Sequence, residues 1–397
     1  MQPAQRIRSF GETVFAGYAR RAREVGALDL GQGFPIDGPP EFVRDALQAA
    51  ADAPQQYAPL SGWPALLEEI AFDHGRWLGR PLDPTGNVLV TTGATEGLFA
   101  TMQAFIDPGD EVVLFEPFYD AYPADVIMAG GVVRTVPLTP DATGRWTFDP
   151  ADLQAALSPA TRAIVLTTPH NPTGTVFRDD ELDVLVAAAH EVDALLVSDE
   201  VYEHIAFAGA RRLATRPGAW ERTLTLSSFG KSFSATGWKV GWVIGPEDLV
   251  SEVRRAHQWI PYVVATPLQE AAAHALRHAR EGNDAYYETL RTTFETRARA
   301  LVDALAETPL RARMPEGGYF VMADARSLGY PDDVTAARDL PTRVGVGVIP
   351  PSAFFLPEHA ERAHGWLRLA FCKPVEDLRE AARRLSTITD VSFTPEG

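Results

Sequence analysis

From residue 87 onward, short runs that are apolar on both alternations alternate with stretches of helical spacing. Residues 87–92, 111–115, 132–138, 162–168, 194–198, 223–228 and 240–244 read as strands, and helices are expected from Glu96 and over residues 179–190. Strands without a polar alternation belong to a parallel sheet covered by helices on both faces. The pattern therefore predicts an α/β fold. Beyond residue 285 it changes to a long helix over 286–305, short strands at 319–322, 344–349 and 366–371, and a closing helix over 375–385. That order predicts a second, smaller α+β domain. The N-terminal segment, with Pro3, Gly31, Gly33, Pro35, Gly38, Pro39 and Pro40, is too broken for a sheet strand and is expected to pack across both domains. The divisions are 1–40, 41–284 and 285–397.

Composition narrows the partners. The 397 residues include 53 Asp and Glu against 36 Lys and Arg, a formal net charge of −17, with 46% hydrophobic and 22% charged positions. This is an ordinary acidic globular protein, and at roughly 150 residues per domain its length suits two or three domains. Basic groups such as Arg20-Arg21-Ala22-Arg23 are short and isolated, so nucleic acid, which needs clustered cations, is not an expected partner. The richest apolar window, 182–197, is interrupted by Asp183, His190, Glu191 and Asp193, so no membrane span is expected either. One cysteine, Cys372, cannot form an internal disulfide, and the first residues lack a signal-peptide pattern. A cytoplasmic location and a small-molecule partner are the default expectations, and no residues are assigned to a metal.

The densest chemical signal is residues 227–242, where Lys231 and Lys239 sit among small residues just after an expected strand. Ser228-x-x-Lys231 fits the S-x-x-K pattern of serine β-lactamases and penicillin-binding proteins, but the S-D-N and K-T-G elements those enzymes need are absent. The alternative makes Lys231 itself reactive, as a Schiff-base lysine for pyridoxal phosphate (PLP), with Asp199 as the carboxylate on the ring nitrogen. Asp199 ends an expected strand, at the edge where open α/β sheets bind ligands. Alone it would equally be a solvated strand-end carboxylate. Tyr202 and Asn171, the latter in a loop stiffened by Pro169 and Pro172, can reach the ring's phenolate oxygen; singly, one reads as a boundary tyrosine and the other as part of a turn. Residues 91–97 run from a strand into glycine and small residues at a helix start, where exposed N–H groups bind phosphate, with Ser228 and Lys239 able to complete the shell. Arg368 lies inside an apolar strand, where its charge needs a buried partner: a substrate carboxylate or an internal salt bridge.

Taken together, Gly31-Gln-Gly-Phe-Pro35, Gly93-Ala-Thr95, Glu116-Pro-Phe-Tyr119, Asn171-Pro-Thr-Gly174, Asp199-Glu-Val-Tyr202, Ser228-x-x-Lys231, Thr236-Gly-Trp-Lys239 and Arg368 occur in one order. The set resembles the class I/II, fold type I PLP-dependent aminotransferases over about residues 8–387. Gly-Gln-Gly-Phe-Pro, Glu-Pro-Phe-Tyr-Asp-Ala-Tyr and Phe-Cys-Lys are most similar to the branch of kynurenine/glutamine, methionine and N-succinyldiaminopimelate aminotransferases.

The resemblance implies a large domain with a mostly parallel seven-stranded sheet between helices. It implies that Lys231 carries PLP and moves the proton, Asp199 pairs with the ring nitrogen, and Tyr202 and Asn171 hold the ring oxygen. Tyr119 would stack on the ring, and Gly93, Ala94, Thr95, Ser228 and Lys239 would bind the phosphate. Tyr57 would reach the neighbouring subunit's phosphate, making a homodimer. Arg368, with Asn171 and the Gly33 backbone, would hold the substrate carboxylate. The implied reaction is ping-pong transfer of an amino group from an L-amino acid to a 2-oxo acid. N-succinyldiaminopimelate, a broader methionine, glutamine or kynurenine-type set, and β-elimination from cysteine conjugates all stay open. Phe34, Trp63, Tyr119, Val264 and Phe354 are candidates for reading the donor side chain, and Arg6 and Arg8 for a distal carboxylate.

Overall fold

A computed structural model describes residues 2–8 and 10–388 of the protein. Its central sheet has seven strands: β1 (Val88–Thr91), β2 (Glu111–Glu116), β3 (Val132–Pro137), β4 (Thr161–Thr167), β5 (Leu195–Asp199), β6 (Thr223–Ser228) and β7 (Gly241–Ile244). Their spatial order is β1-β7-β6-β5-β4-β2-β3. All neighbours are parallel except β7, which runs antiparallel to both β1 and β6. The inner strands are apolar on both alternations because helices cover both faces, whereas the edge strand β3 carries Arg134 and Thr135 and is partly exposed. Val112, Leu114, Val165, Val197 and Leu224 pack into the core on one side, and Val113, Phe115, Ile164, Leu166 and Leu196 into the core on the other.

Helix α1 (Gly93–Phe105) starts three residues before the expected Glu96. Only Thr92 separates it from β1, and Gly93 makes the turn at φ +71°, a conformation that suits glycine. Glu96 instead caps the helix from inside, accepting the Thr92 N–H at 3.0 Å. Helix α2 (Ala121–Ala129) follows β2, and α3 (Asp179–Val192) joins β4 to β5. Helix α4 (Thr266–Glu281) packs beside β1's helical neighbours, and α5 (Ala285–Leu305) runs into the smaller unit.

That unit is a three-stranded antiparallel sheet, β8 (Arg311–Ala312), β9 (Phe320–Asp324) and β10 (Trp366–Ala370), packed with α5 and α6 (Val375–Leu385). The expected strand over 344–349 shrinks to Val346–Gly347, with Gly345 at φ +69° just before it and Ile349 making only an isolated bridge to Arg368. It pairs in parallel with Leu28–Asp29, so the N-terminal segment does contribute a short sheet strand, contrary to the sequence reading. Among the described residues no helix is long and apolar enough to cross a membrane.

Candidate active site

Strand ends converge where the site forms. A cavity of about 290 Å³ opens at the C-terminal edge of β4, β5 and β6, with residues 32–34 of the N-terminal segment on one wall and Phe320 and Arg368 of the smaller unit on another. Lys231 projects into it from a single helical turn, Phe229–Ser232, that follows β6 directly. Burial pulls its ammonium down to about 8, although the Asp199 charge favours the protonated form. Its Nζ donates to the Gly33 carbonyl at 3.4 Å.

Asp199 ends β5 and reaches the same cavity. Burial pushes its carboxyl up, and hydrogen bonds oppose that: Tyr122 Oη donates to Oδ2 at 2.6 Å and the Val201 N–H to Oδ1 at 3.3 Å. Tyr202 lies in the wall with its ring edge-on to Tyr319, and Lys231 Nζ stands 5.4 Å from each of these rings. Burial holds the Tyr202 hydroxyl well above the usual tyrosine range. Tyr119 also lines the cavity, its hydroxyl raised to about 12 by burial.

Gly93, Ala94 and Thr95 form the first turn of α1 at the cavity's other end, beside Ser228. Lys239 reaches in from φ +53° and donates to Thr95 Oγ1 at 3.2 Å. The backbones here are pressed together: a Cβ on Gly241 would lie 2.6 Å from the Ala94 nitrogen. Such a turn of free N–H groups beside an ammonium is an anion cradle.

Arg368 is fully buried, and burial lowers its guanidinium to about 10. It has no carboxylate partner among the described residues. One nitrogen donates to Asn171 Oδ1 at 3.2 Å, another to the Gly31 carbonyl at 2.8 Å, and Nε has no partner. Phe15, Phe320 and Phe354 surround it at 5.1, 4.0 and 4.8 Å. A buried cation with an unused donor facing a cavity is built for an incoming anion.

A sequence model of the family "Aminotransferase class I and II" matches residues 25–385. The chain belongs to that family. It is 42% identical over 394 residues to a probable N-succinyldiaminopimelate aminotransferase of Mycobacterium tuberculosis, covering 97% of this chain and 98% of the relative. It is 35% identical to a kynurenine–oxoglutarate transaminase of Dictyostelium discoideum, covering 96% and 95%. The solved N-succinyldiaminopimelate aminotransferase structure from Mycobacterium tuberculosis superposes with a TM-score of 0.93 at 41% identity, covering 98% of this chain and all of that one. An Escherichia coli protein identified as having a methionine aminotransferase function superposes at 0.90 with 35% identity, covering 97% and 99%.

This aminotransferase is therefore a PLP-dependent enzyme of fold type I. Its cavity fits that cofactor on chemical grounds: a buried amine of lowered basicity for the aldehyde, a carboxylate for the ring nitrogen, an aromatic wall for the ring, and a helix start with an ammonium for the phosphate. No cluster of metal-ligating side chains occurs among the described residues.

The structure brings Gly33, Gly93, Ala94, Thr95, Tyr119, Asn171, Asp199, Tyr202, Ser228, Lys231, Lys239 and Arg368 to one cavity. Tyr57 is not there: it is 79% exposed and packs edge-on to Tyr262, which is also exposed. Of the candidate side-chain readers, Phe34 and Tyr119 line the cavity, whereas Trp63 and Val264 belong to the core under β1 and Phe354 packs on Arg368. Arg6 and Arg8 are exposed and outside the cavity, Arg8 donating to the Pro3 carbonyl.

Two residues escaped the sequence reading. Tyr122, which hydrogen-bonds Asp199 across 77 positions, lies within a quoted motif that gives no hint of its partner. Lys373 holds the Phe34 carbonyl at 3.1 Å. A signal for it existed: among 36 basic residues the chain has only three lysines, Lys231, Lys239 and Lys373.

Proposed function

We propose that this aminotransferase takes its amino group from L-amino acids with neutral, mainly apolar side chains and passes it to a 2-oxo acid in a ping-pong cycle. One observation carries the reading: the cavity wall contains three cations, Lys231, Lys239 and Arg368, and each has a task in the transamination itself, which leaves none for a second carboxylate. The wall near Arg368 otherwise includes Phe15, Phe34, Tyr119 and Phe320, with Gln32 and Asn171 as its amides.

PLP supplies an electron sink for the substrate carbon that loses its proton. The residues do the remainder. Lys231 Nζ, its ammonium brought down to about 8 by burial, would anchor the cofactor and then take and return the Cα proton. Asp199, held by Tyr122, would keep a proton on the ring nitrogen. Tyr202 and Asn171 would donate to the ring oxygen, and Tyr119 would cover the ring face. The first turn of α1 at Gly93, Ala94 and Thr95, with Ser228 and Lys239, binds the phosphate. Arg368 grips the α-carboxylate, and Asn171 and the Gly33 backbone fix its direction. Tyr57, projecting away from its own cavity, serves a second copy of the chain in a homodimer. The single thiol, Cys372, is buried and unpaired, which suits a reducing compartment, and we place the enzyme in the cytoplasm.

A second reading, N-succinyldiaminopimelate as donor in lysine biosynthesis, is favoured by the relative that is 42% identical along nearly the whole chain. It requires the distal carboxylates to be met beyond the cavity mouth. The deciding experiment follows bleaching of the yellow holoenzyme by single donors. Faster bleaching by methionine, glutamine or kynurenine supports the neutral-side-chain reading. Bleaching by N-succinyldiaminopimelate far ahead of the others would overturn it, and pyruvate release from a cysteine conjugate would add a β-lyase activity.

A further inference from the structure

Five consecutive carbonyls of the N-terminal segment are each held by a donor from elsewhere in the chain. Leu30 O accepts the Ala370 N–H at 2.6 Å, Gly31 O the Arg368 guanidinium at 2.8 Å, and Gln32 O the Cys372 thiol at 3.7 Å. Gly33 O accepts from Lys231 at 3.4 Å and Phe34 O from Lys373 at 3.1 Å. The strap also lies flush on β9, since a Cβ on Gly33 would fall 2.2 Å from the Phe320 ring.

The last rung is unlike the others. Lys373 is 5% exposed, and no carboxylate lies within salt-bridge distance of it among the described residues. Burying an ammonium without a counter-charge is costly, so its remaining contacts must be specific. Both are to one residue: Nζ donates to the Phe34 carbonyl and stands 4.8 Å from the centre of the Phe34 ring. A compact ammonium suits this two-point grip on backbone and ring, whereas a planar guanidinium favours flat, forked partners. The chain uses arginine for every basic position except Lys231, Lys239 and Lys373. Lysine at 373 is therefore an exception in a chain that otherwise keeps lysine for the cavity.

Phe34 lines the cavity and is 43% exposed, so its ring faces the mouth through which a donor's side chain must extend. The neighbouring rung at Gly33 depends on the very amine that the cofactor takes, which leaves Lys373 as the side-chain clasp nearest the mouth. We propose that Lys373 is a positioning residue for donor specificity, fixing the Phe34 ring as the wall that contacts long side chains. This rests on the neutral-side-chain reading, and its test separates the two.

In the holoenzyme, Lys373→Met is expected to speed hydrogen exchange of the strap amides, residues 30–34, about tenfold while exchange in the central sheet stays unchanged. In single-turnover half-reactions its preference for L-methionine over L-alanine, as a ratio of kcat/KM, is expected to fall about tenfold, through KM rather than kcat. Phe34→Ala should lower the same ratio, and adding Lys373→Met to it should change the ratio less than twofold. Unaltered strap exchange in Lys373→Met would overturn the clasp whatever the donor. Faster strap exchange with an unchanged ratio would instead overturn the specificity role and count against Phe34 as the donor's wall. Additive effects of the two substitutions would show that Lys373 does not act through Phe34, and would overturn the proposal as well.

Discussion

Asp199 and Glu200 are neighbours at the end of β5, the first half-buried at the cavity and the second fully buried, and they face opposite sides of the sheet edge with opposite degrees of satisfaction. Behind the sheet, Glu200 accepts from Ser198 Oγ at 2.8 Å and the Leu213 N–H at 3.3 Å, and pairs with Arg212 at 3.1 Å. The same guanidinium pairs with Glu203, which also accepts from Ser227 Oγ. Here charges close on one another. In front, Asp199 has Tyr122 and one backbone N–H, Arg368 has a donor without a partner, and the amine of Lys231 has a single long contact. The lesson is that burial alone does not mark a functional charge, for Arg368 in front is as buried as Glu200 and Glu203 behind; spare hydrogen-bonding capacity beside a cavity does.

Substitutions on the two sides should therefore fail in different ways. The largest effect is expected in front: Lys231→Ala should lower turnover by about four orders of magnitude or more, since both the anchoring amine and the proton carrier are lost. Its melting temperature should stay within a few degrees of the parent, and near-normal transamination would dismantle the assignment. Behind the sheet, Arg212→Ala leaves two buried carboxylates facing each other and should cost about 3–5 kcal/mol in denaturant unfolding, with kcat per folded molecule little changed. A collapse of kcat at unchanged stability would erase the distinction between the sides.

Next in size, Arg368→Ala should raise KM for donor and oxo acid by about two orders of magnitude, the effect of removing one partner from a buried charge pair. An unchanged KM would mean that the carboxylate is held elsewhere. Tyr122→Phe removes one hydrogen bond to a carboxylate, worth about 1.5–3 kcal/mol, and should lower kcat roughly tenfold while leaving KM nearly constant. The smallest effect is on pH. Because burial lowers Lys231 to about 8, the neutral amine grows as pH rises through that value. PLP capture by cofactor-free protein should accelerate from pH 7 and level off about one unit above the midpoint; a midpoint near the ordinary lysine value would show that the amine is not desolvated.

Much of the architecture was readable from periodicity because strands covered on both faces leave a strong local trace. Val112 through Leu114 and Ile164 through Leu166 could be placed as buried strands without knowing what they touch. The reversed direction of β7 leaves no such trace, and neither does the two-residue strand Leu28–Asp29, whose partner is more than 300 positions away. The same divide runs through the site. Residues within short motifs were found as candidates, while Tyr122 on Asp199 and Lys373 on Phe34 are contacts between distant segments and became visible only when the chain was folded. Val264 and Trp63 lie outside the cavity for the same reason, Val264 buried in the core under β1 and Trp63 half-buried against it.

The scarcity of lysine has a practical side. Reagents that modify primary amines normally scatter over a protein surface. Here every ε-amino group in the chain belongs to the cavity or to the clasp beside it. Once the α-amino group is accounted for, each further addition of an acylating or reductive-alkylation reagent thus reports on the cavity or the clasp beside it, and a cross-linker that joins amines will find no lysine scattered elsewhere on this molecule to capture.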